Sequence, residues 1–255
     1  MEISNREKAT AIQNSIETET LGQIGLINPR SYKQHNINVA DGFDAILALH
    51  DLMPMEKVYT NVVRAFQDGD IGFVHVDYYL FEPTVAFDIH RFENGKSVEH
   101  WDNLQTNSKK VNKSGRTMTD GKTKAIDLHL TIDNKKLAET YVREVLVSKN
   151  FDQVHKYFNG DTLIQHNPDM GDGVSEFLMV LNEWKNLGKE QVYTAVRKVL
   201  GEGNFVLVLS EGFIGSTHSA FYDLYRIENH KIVEHWDVIE AITSPENQKN
   251  TNGKF

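Results

Sequence analysis

Two short runs, Val98-Glu99-His100-Trp101-Asp102 and Val233-Glu234-His235-Trp236-Asp237, each set an imidazole two residues from a carboxylate. In an extended strand side chains alternate between faces, so His and Asp share one face while Glu and Trp share the other. If the His–Asp face lines an apolar pocket, burial raises the Asp pKa and a neighbouring imidazolium lowers it. Balanced between the two, Asp102 or Asp237 can take a proton from the carbon next to a carbonyl, the first step of an aldol closure or an isomerisation. His100 or His235 would tune or relay that proton. The opposite orientation, with Trp inward and His and Asp outward, is equally open on sequence alone.

Asp88 and Asp223 lie one strand earlier, across a hairpin from these carboxylates. A two-residue Asn94-Gly95 turn would set Asp88 opposite Trp101, whereas a three-residue loop with a bulge shifts the parity and brings the carboxylates together. Two carboxylates in contact do not both ionise readily, so one would stay protonated and act as the acid. The alternative is a salt bridge to Arg91 or Arg226. His35 and His166, each in a Gln-His-Asn loop, are candidates to orient a substrate or to pin the loop through a backbone carbonyl. Trp101, Trp236, Tyr59 and Tyr193 complete the expected substrate-binding set. A metal set of His35, His100 and Asp102 lacks support from any His-x-His or His-x3-His spacing.

The elements that must hold these residues come in duplicate. Residues 86–102 and 221–237 are identical at ten of seventeen positions, and Gln34-His35-Asn36, Asp41-Gly42 and Val58-Tyr59-Thr60 recur as Gln165-His166-Asn167, Asp172-Gly173 and Val192-Tyr193-Thr194. A repeat this long is a whole domain. The expected division is residues 1–107, a linker or wrapping tail over 108–123, and a second domain over 124–255. The copies differ at His75 and His90, which become Leu209 and Tyr225.

Each copy opens with helices: about Asn5–Thr20 and Leu21–Leu26 in the first, and Lys135–Ser148, capped by Asp133-Asn134, and Phe151–Tyr157 in the second. A third helix follows each His-Asn loop, at about Phe43–Leu52 and Ser175–Leu187. Four strands close each copy: Val58–Phe66, Ile71–Tyr79, Thr84–Phe92 and Ser97–Leu104, then Val192–Leu200, Phe205–Phe213, Ser219–Ile227 and Ile232–Ile239. Helices followed by an antiparallel sheet give an α+β domain, with the helices covering one face of a curved sheet. The polar tail Ser244–Phe255 resembles the linker, which suggests that each tail wraps over its own unit.

A net charge of −9 argues against nucleic acid, and 40% hydrophobic residues suffice for a core in each half. The absence of cysteine excludes disulfides, and no run approaches the ~20 apolar residues of a membrane span. With no apolar signal core at the N-terminus, a cytoplasmic protein is expected.

The Gln-His-Asn loop with its following Asp-Gly, and the closing Asp-x-x-Arg-x-Glu-Asn-x-Lys-x-Val-Glu-His-Trp-Asp, resemble SnoaL-like domains of the nuclear-transport-factor-2-like superfamily. The resemblance implies two cone-shaped domains. In members similar to SnoaL, polyketide cyclases close a ring by aldol condensation without metal or organic cofactor, and an Asp on the last strand, matching Asp102 and Asp237, is the acid/base. Those members carry a His where this chain has Asp88 and Asp223. The superfamily also holds isomerases, dehydratases, epoxide hydrolases and non-catalytic binding domains. The resemblance implies a small hydrophobic molecule as ligand, and that neither metal nor cofactor is needed. The two copies are expected to pair as a pseudo-dimer within one chain, with further homo-oligomerisation left open.

Overall fold

The computed structural model describes residues 3–18 and 25–255. The chain divides into two compact units, Met1–Asn107 with Ile242–Phe255, and Ser108–Ala241. Both are α+β.

In the first unit, helix α1 (Asn5–Ser15) starts at Ser4, whose side chain and that of Glu7 satisfy each other's backbone N–H groups in a capping box. Strand β1 (Lys33–Gln34) and helix α2 (Phe43–His50) precede four long strands: β2 (Tyr59–Asp68), β3 (Ile71–Tyr79), β4 (Pro83–Glu93) and β5 (Lys96–Thr106). The sheet order is β1-β5-β4-β3-β2, with β1 parallel to β5 and the other neighbours antiparallel. Ala9 and Ile12 of α1 pack with Val74, Val76 and Ala86 into a core on one face of this sheet.

The second unit repeats the plan. Helix α3 (Thr131–Tyr141) runs into a π-helical turn over Val142–Val147, and a 3₁₀ turn spans Phe151–Lys156. Then come β6 (Ile164–Gln165), α4 (Val174–Asn186), β7 (Gln191–Glu202), β8 (Phe205–Ile214), β9 (Thr217–Glu228) and β10 (Lys231–Ala241), in the sheet order β6-β10-β9-β8-β7. Tyr141, Val142, Val145 and Phe177 from the helices meet Val206, Val208, Phe221 and Tyr225 from the sheet.

Three features differ from the sequence expectation. Asp133-Asn134 do not cap α3. The helix begins at Thr131, and Asn134 lies inside it, donating to the Gly203 carbonyl (2.9 Å). The helix expected over Leu21–Leu26 falls mostly outside the described residues. The two-residue strands β1 and β6 are additions, too short to show a period but decisive for the site.

The tails also sit elsewhere than expected. Residues 242–255 pack on the first unit and residues 108–121 on the second, so each copy is strapped by the segment that follows the other copy. The straps use the same contacts. Asn112 donates to the carbonyls of Gln165 (2.7 Å) and Asn167 (3.3 Å), whereas Asn250 and Asn252 donate to those of Asn36 (2.7 Å) and Gln34 (2.8 Å). Arg116 then reaches Asp172 (2.9 Å), and Asn252 reaches Asp41 (2.8 Å).

Gly121 closes the second strap at φ 93°, and a Cβ there would stand 2.2 Å from Glu234 Oε1. Gly121→Ala should therefore destabilise the second unit by about 1–3 kcal/mol, the usual range for overpacking a filled site. Urea denaturation checks this, and an unchanged midpoint would refute the close packing of the strap.

Candidate active site

Each closing hairpin is built from a tight turn and a bulge. Asn94 and Gly95 both have positive φ (49° and 78°), as do Asn229 and His230 (50° and 58°), which is the backbone of a two-residue type I′ turn. That turn alone would pair Asp88 with Trp101. One residue further along, however, Phe92 pairs with Ser97 and Arg91 with Glu99, which leaves Val98 as an extra residue. Val233 is skipped in the same way between Ile232 and Glu234. The bulge restores parity, so Asp88 stands directly opposite Asp102, and Asp223 opposite Asp237. Turn and bulge together produce the carboxylate pair.

Both pairs face the helices. In the second unit the pocket is lined by Tyr141, Phe177, Tyr193, Asp223, Tyr225, His235 and Asp237, with apolar side chains completing the wall. The room at its centre is about 20 Å³, enough for one water-sized molecule. His235 and Asp237 thus lie on the pocket side of β10, while Glu234 and Trp236 point to the other face of the sheet.

The Gln-His-Asn triplet runs beside the last strand, and its side chains alternate across the sheet. Gln165 Oε1 accepts from the backbone N–H groups of His166 and Asn167 (both 3.0 Å), which fixes it as the acceptor for His235 Nδ1 (3.0 Å). Nδ1 therefore carries a proton, and Nε2 faces Asp223 Oδ1 (2.9 Å). Asn167 Nδ2 donates to Asp237 Oδ2 (2.7 Å). The first unit repeats this with Gln34 to His100 (3.0 Å), His100 to Asp88 (3.1 Å) and Asn36 to Asp102 (2.7 Å).

His35 and His166, read from sequence as candidates either to orient a substrate or to pin the loop through a backbone carbonyl, occupy the face opposite the pocket, each with Nδ1 on a backbone carbonyl. His166 stacks on Trp236 (4.6 Å between centroids), its Nε2 meets Glu234 (2.9 Å), and its Nδ1 meets the Thr117 carbonyl of the strap (2.9 Å). His35 does the same with Trp101 (4.8 Å), Glu99 (2.8 Å) and the Gly253 carbonyl (2.8 Å). These residues, with Trp101 and Trp236, fasten the straps and stand away from the pocket. That placement also dismantles the His35–His100–Asp102 metal set. Burial works against ionisation of Glu234, but hydrogen bonds from His166 and Arg226 (2.5 Å from Nε) outweigh it and hold its carboxyl below the usual range.

Of the two tyrosines expected to bind substrate, Tyr193 lines the pocket and donates to Asp223 Oδ1 (3.2 Å), whereas Tyr59 donates to Asp77 (3.3 Å). Arg91 and Arg226 pair with Glu99 and Glu234 and not with the strand aspartates. His90 stacks on His100 (4.6 Å), and burial followed by the charge of His100 pushes its pKa far down. His75 lies against Arg64 and Phe87. Four pocket features were not assigned a role from the sequence: the tautomer-setting Gln34 and Gln165, the Asn36 and Asn167 donors, Tyr141, and Tyr225 stacked on His235 (4.9 Å). The repeat of Gln and Asn at matching positions was the available signal.

The electrostatics separate the groups. Burial raises the Asp237 pKa, and the neighbouring Asp223 adds to it against the opposing charge of His235. His235 is lowered by burial, but its hydrogen bond to Asp223 and that carboxylate's charge reverse the sign and raise it. Burial and the charge of Asp223 hold the Tyr193 and Tyr225 hydroxyls firmly protonated. Asp223 Oδ2 and Asp237 Oδ1 are buried without a hydrogen-bond partner among the described residues. A buried polar atom left unsatisfied calls for a physical explanation, of which a bound molecule or ion is one. One ligand atom each from Asp223, His235 and Asp237, and likewise from Asp88, His100 and Asp102, lie within 4.8 Å of one another, a spacing that a divalent ion would also fit.

The raised pKa of His235 has a definite sign in stability. Its contribution is complete below the unfolded value near 6.5 and is lost as pH rises through the higher folded value. The stability gap between the wild type and His235→Gln should therefore be widest at mildly acidic pH and narrow above neutrality. Chemical denaturation across that range tests it, and a gap that stays level or widens with pH would contradict the pairing with Asp223.

No family model matches the chain, and no curated protein matches it. Among solved structures, the chain is similar to a candidate ketosteroid isomerase from Kribbella flavida (13% identity, TM-score 0.39, 46% of this chain and 84% of that one). It is also similar to a candidate polyketide cyclase from Streptomyces antibioticus (15%, 0.34, 42% and 91%). A third is an NTF2-like protein of unknown function from Cytophaga hutchinsonii (18%, 0.35, 47% and 95%). Each covers less than half of this chain.

Proposed function

We propose that the units are SnoaL-like domains and that the second is an acid–base catalyst for a small hydrophobic carbonyl compound, needing no cofactor. The observation that carries this reading is the pair of unpartnered, buried carboxylate oxygens, Asp237 Oδ1 and Asp223 Oδ2, beside His235 in an aromatic-lined pocket. Asp237, when ionised, takes the proton from the carbon next to the carbonyl and becomes the acid that returns it. Burial makes it a stronger base than an exposed carboxylate, with a pKa nearer the working pH. The carbonyl oxygen gains the charge, and the Tyr141 and Tyr225 hydroxyls, kept protonated by burial, are donors for it. His235, with Nδ1–H fixed by Gln165, carries positive charge toward Asp223 and limits the build-up of negative charge. From a β,γ-unsaturated carbonyl the dienolate so formed can be reprotonated at the γ carbon, giving isomerisation, whereas an enolate can attack a second carbonyl, giving ring closure.

A second reading, a structural unit without turnover, is favoured by the small free volume of about 20 Å³. Deuterium wash-in from D2O into cyclohexanone, 1-indanone and 2-tetralone, followed by proton NMR, separates the two. Catalysis predicts accelerated exchange next to the carbonyl in at least one ketone. Asp237→Asn should lose about 10²–10⁴-fold of it, the usual contribution of a positioned proton-transfer group. Exchange that is unaffected by Asp237→Asn would end the proposal.

A further inference from the structure

The two straps place different residues at the same point. Thr117 and Gly253 give their carbonyls to the matching histidines, His166 (2.9 Å) and His35 (2.8 Å). The residue after each is buried: Met118 (3% exposed) in the second unit and Lys254 (5% exposed) in the first. Lys254 Nζ stands 3.6 Å from Asp102 Oδ1. In both units the other carboxylate oxygen, Oδ2, accepts from the loop Asn. Oδ1 accepts no hydrogen bond in either aspartate, but in Asp102 it faces an ammonium and in Asp237 it does not. Asp88 across the hairpin, His100 beside it, and Tyr32 and His90 stacked on His100 are the other titratable groups around that pair.

We propose that Lys254 neutralises Asp102 and withdraws the first unit from proton transfer, so that the duplicated site is chemically unequal and only the second copy turns over. The inference rests on the proton-transfer reading above for its functional half. A buried carboxylate held by a buried ammonium is a poor base, because taking a proton would leave the ammonium unpaired in a dry interior. The inequality comes from a residue outside the repeated hairpin, delivered by the closing segment. Among the described residues no ammonium or guanidinium pairs with Asp237, and the strap residue that follows the histidine-bound carbonyl there is the uncharged Met118.

The test swaps the two strap residues. Lys254→Met installs the side chain that the second copy already holds, in a background of Asp237→Asn that silences the second unit. Ketone exchange should return in the double variant, and its absence when the wild type exchanges would overturn the proposal. Met118→Lys is the converse. It should lower wild-type exchange and move the ¹³C-carboxyl titration of Asp237 to lower pH. The titration is informative even if no ketone is ever exchanged, so failure of the functional reading and failure of the strap reading remain distinct. An Asp237 titration that does not move refutes the placement of residue 118. Should that variant not fold, the wild type still answers: the Lys254 Nζ signal should be sharp and slow to exchange, and lost in Asp102→Asn. A signal unchanged in that variant overturns the ion pair.

Discussion

One extra residue in each closing strand decides which side chains share a face of the sheet. Side chains alternate along a strand, so a shift of a single position exchanges the faces of everything beyond it. The tight turns at 94–95 and 229–230 would by themselves set each aspartate against a tryptophan. Val98 and Val233, left out of the ladder, bring the carboxylates into register. All the later features follow, including the hydrogen bond from His to the partner Asp, the raised carboxyl pKa and the unsatisfied oxygens.

The two faces of the sheet then divide the labour. Gln and Asn of the triplet serve the pocket, while the His between them serves the strap. The edge pairing of β1 with β5 and of β6 with β10 enforces this split, because three consecutive residues beside a strand cannot all point the same way. The outer face is fastened separately from the inner one: the stacked His166–Trp236 pair and the Glu234–Arg226 bridge hold the same strand that carries His235 and Asp237. Glu99, bonded to both His35 and Arg91, does the same in the first unit.

Much of this was legible from sequence, for physical reasons that can be named. Strong periodicity and the Gly-containing turns placed Ile71–Tyr79 at its observed limits and the other long strands to within a few residues. Inward His and Asp, one of two open orientations, is what the strand alternation delivers in the pocket-lining second unit. The bulge was offered as an alternative to the tight turn, and the structure uses both. A bulged Val looks like any strand Val, so the choice depended on pairing across the hairpin. The choice between the two roles open to His35 and His166 was not readable, because a loop His has no period until its edge strand is known. Lys254 carried no signal at all, since its partner Asp102 is 152 positions away and the matching strap residue is Met118. The strap exchange was hidden for the same reason: the likeness of the two tails says what they contact but not in which copy.

That exchange has a consequence for how the molecule comes into being. The second unit is contiguous, with its strap made before its body, so it can close as soon as β10 leaves the ribosome. The first unit is interrupted. Its sheet is synthesised early, but its Gln-His-Asn loop keeps unsatisfied carbonyls and its Glu99–His35 cluster stays uncovered until residues 242–255 follow. Domains ordinarily mature in the order they are made; here the copy that is born first is the last to be finished.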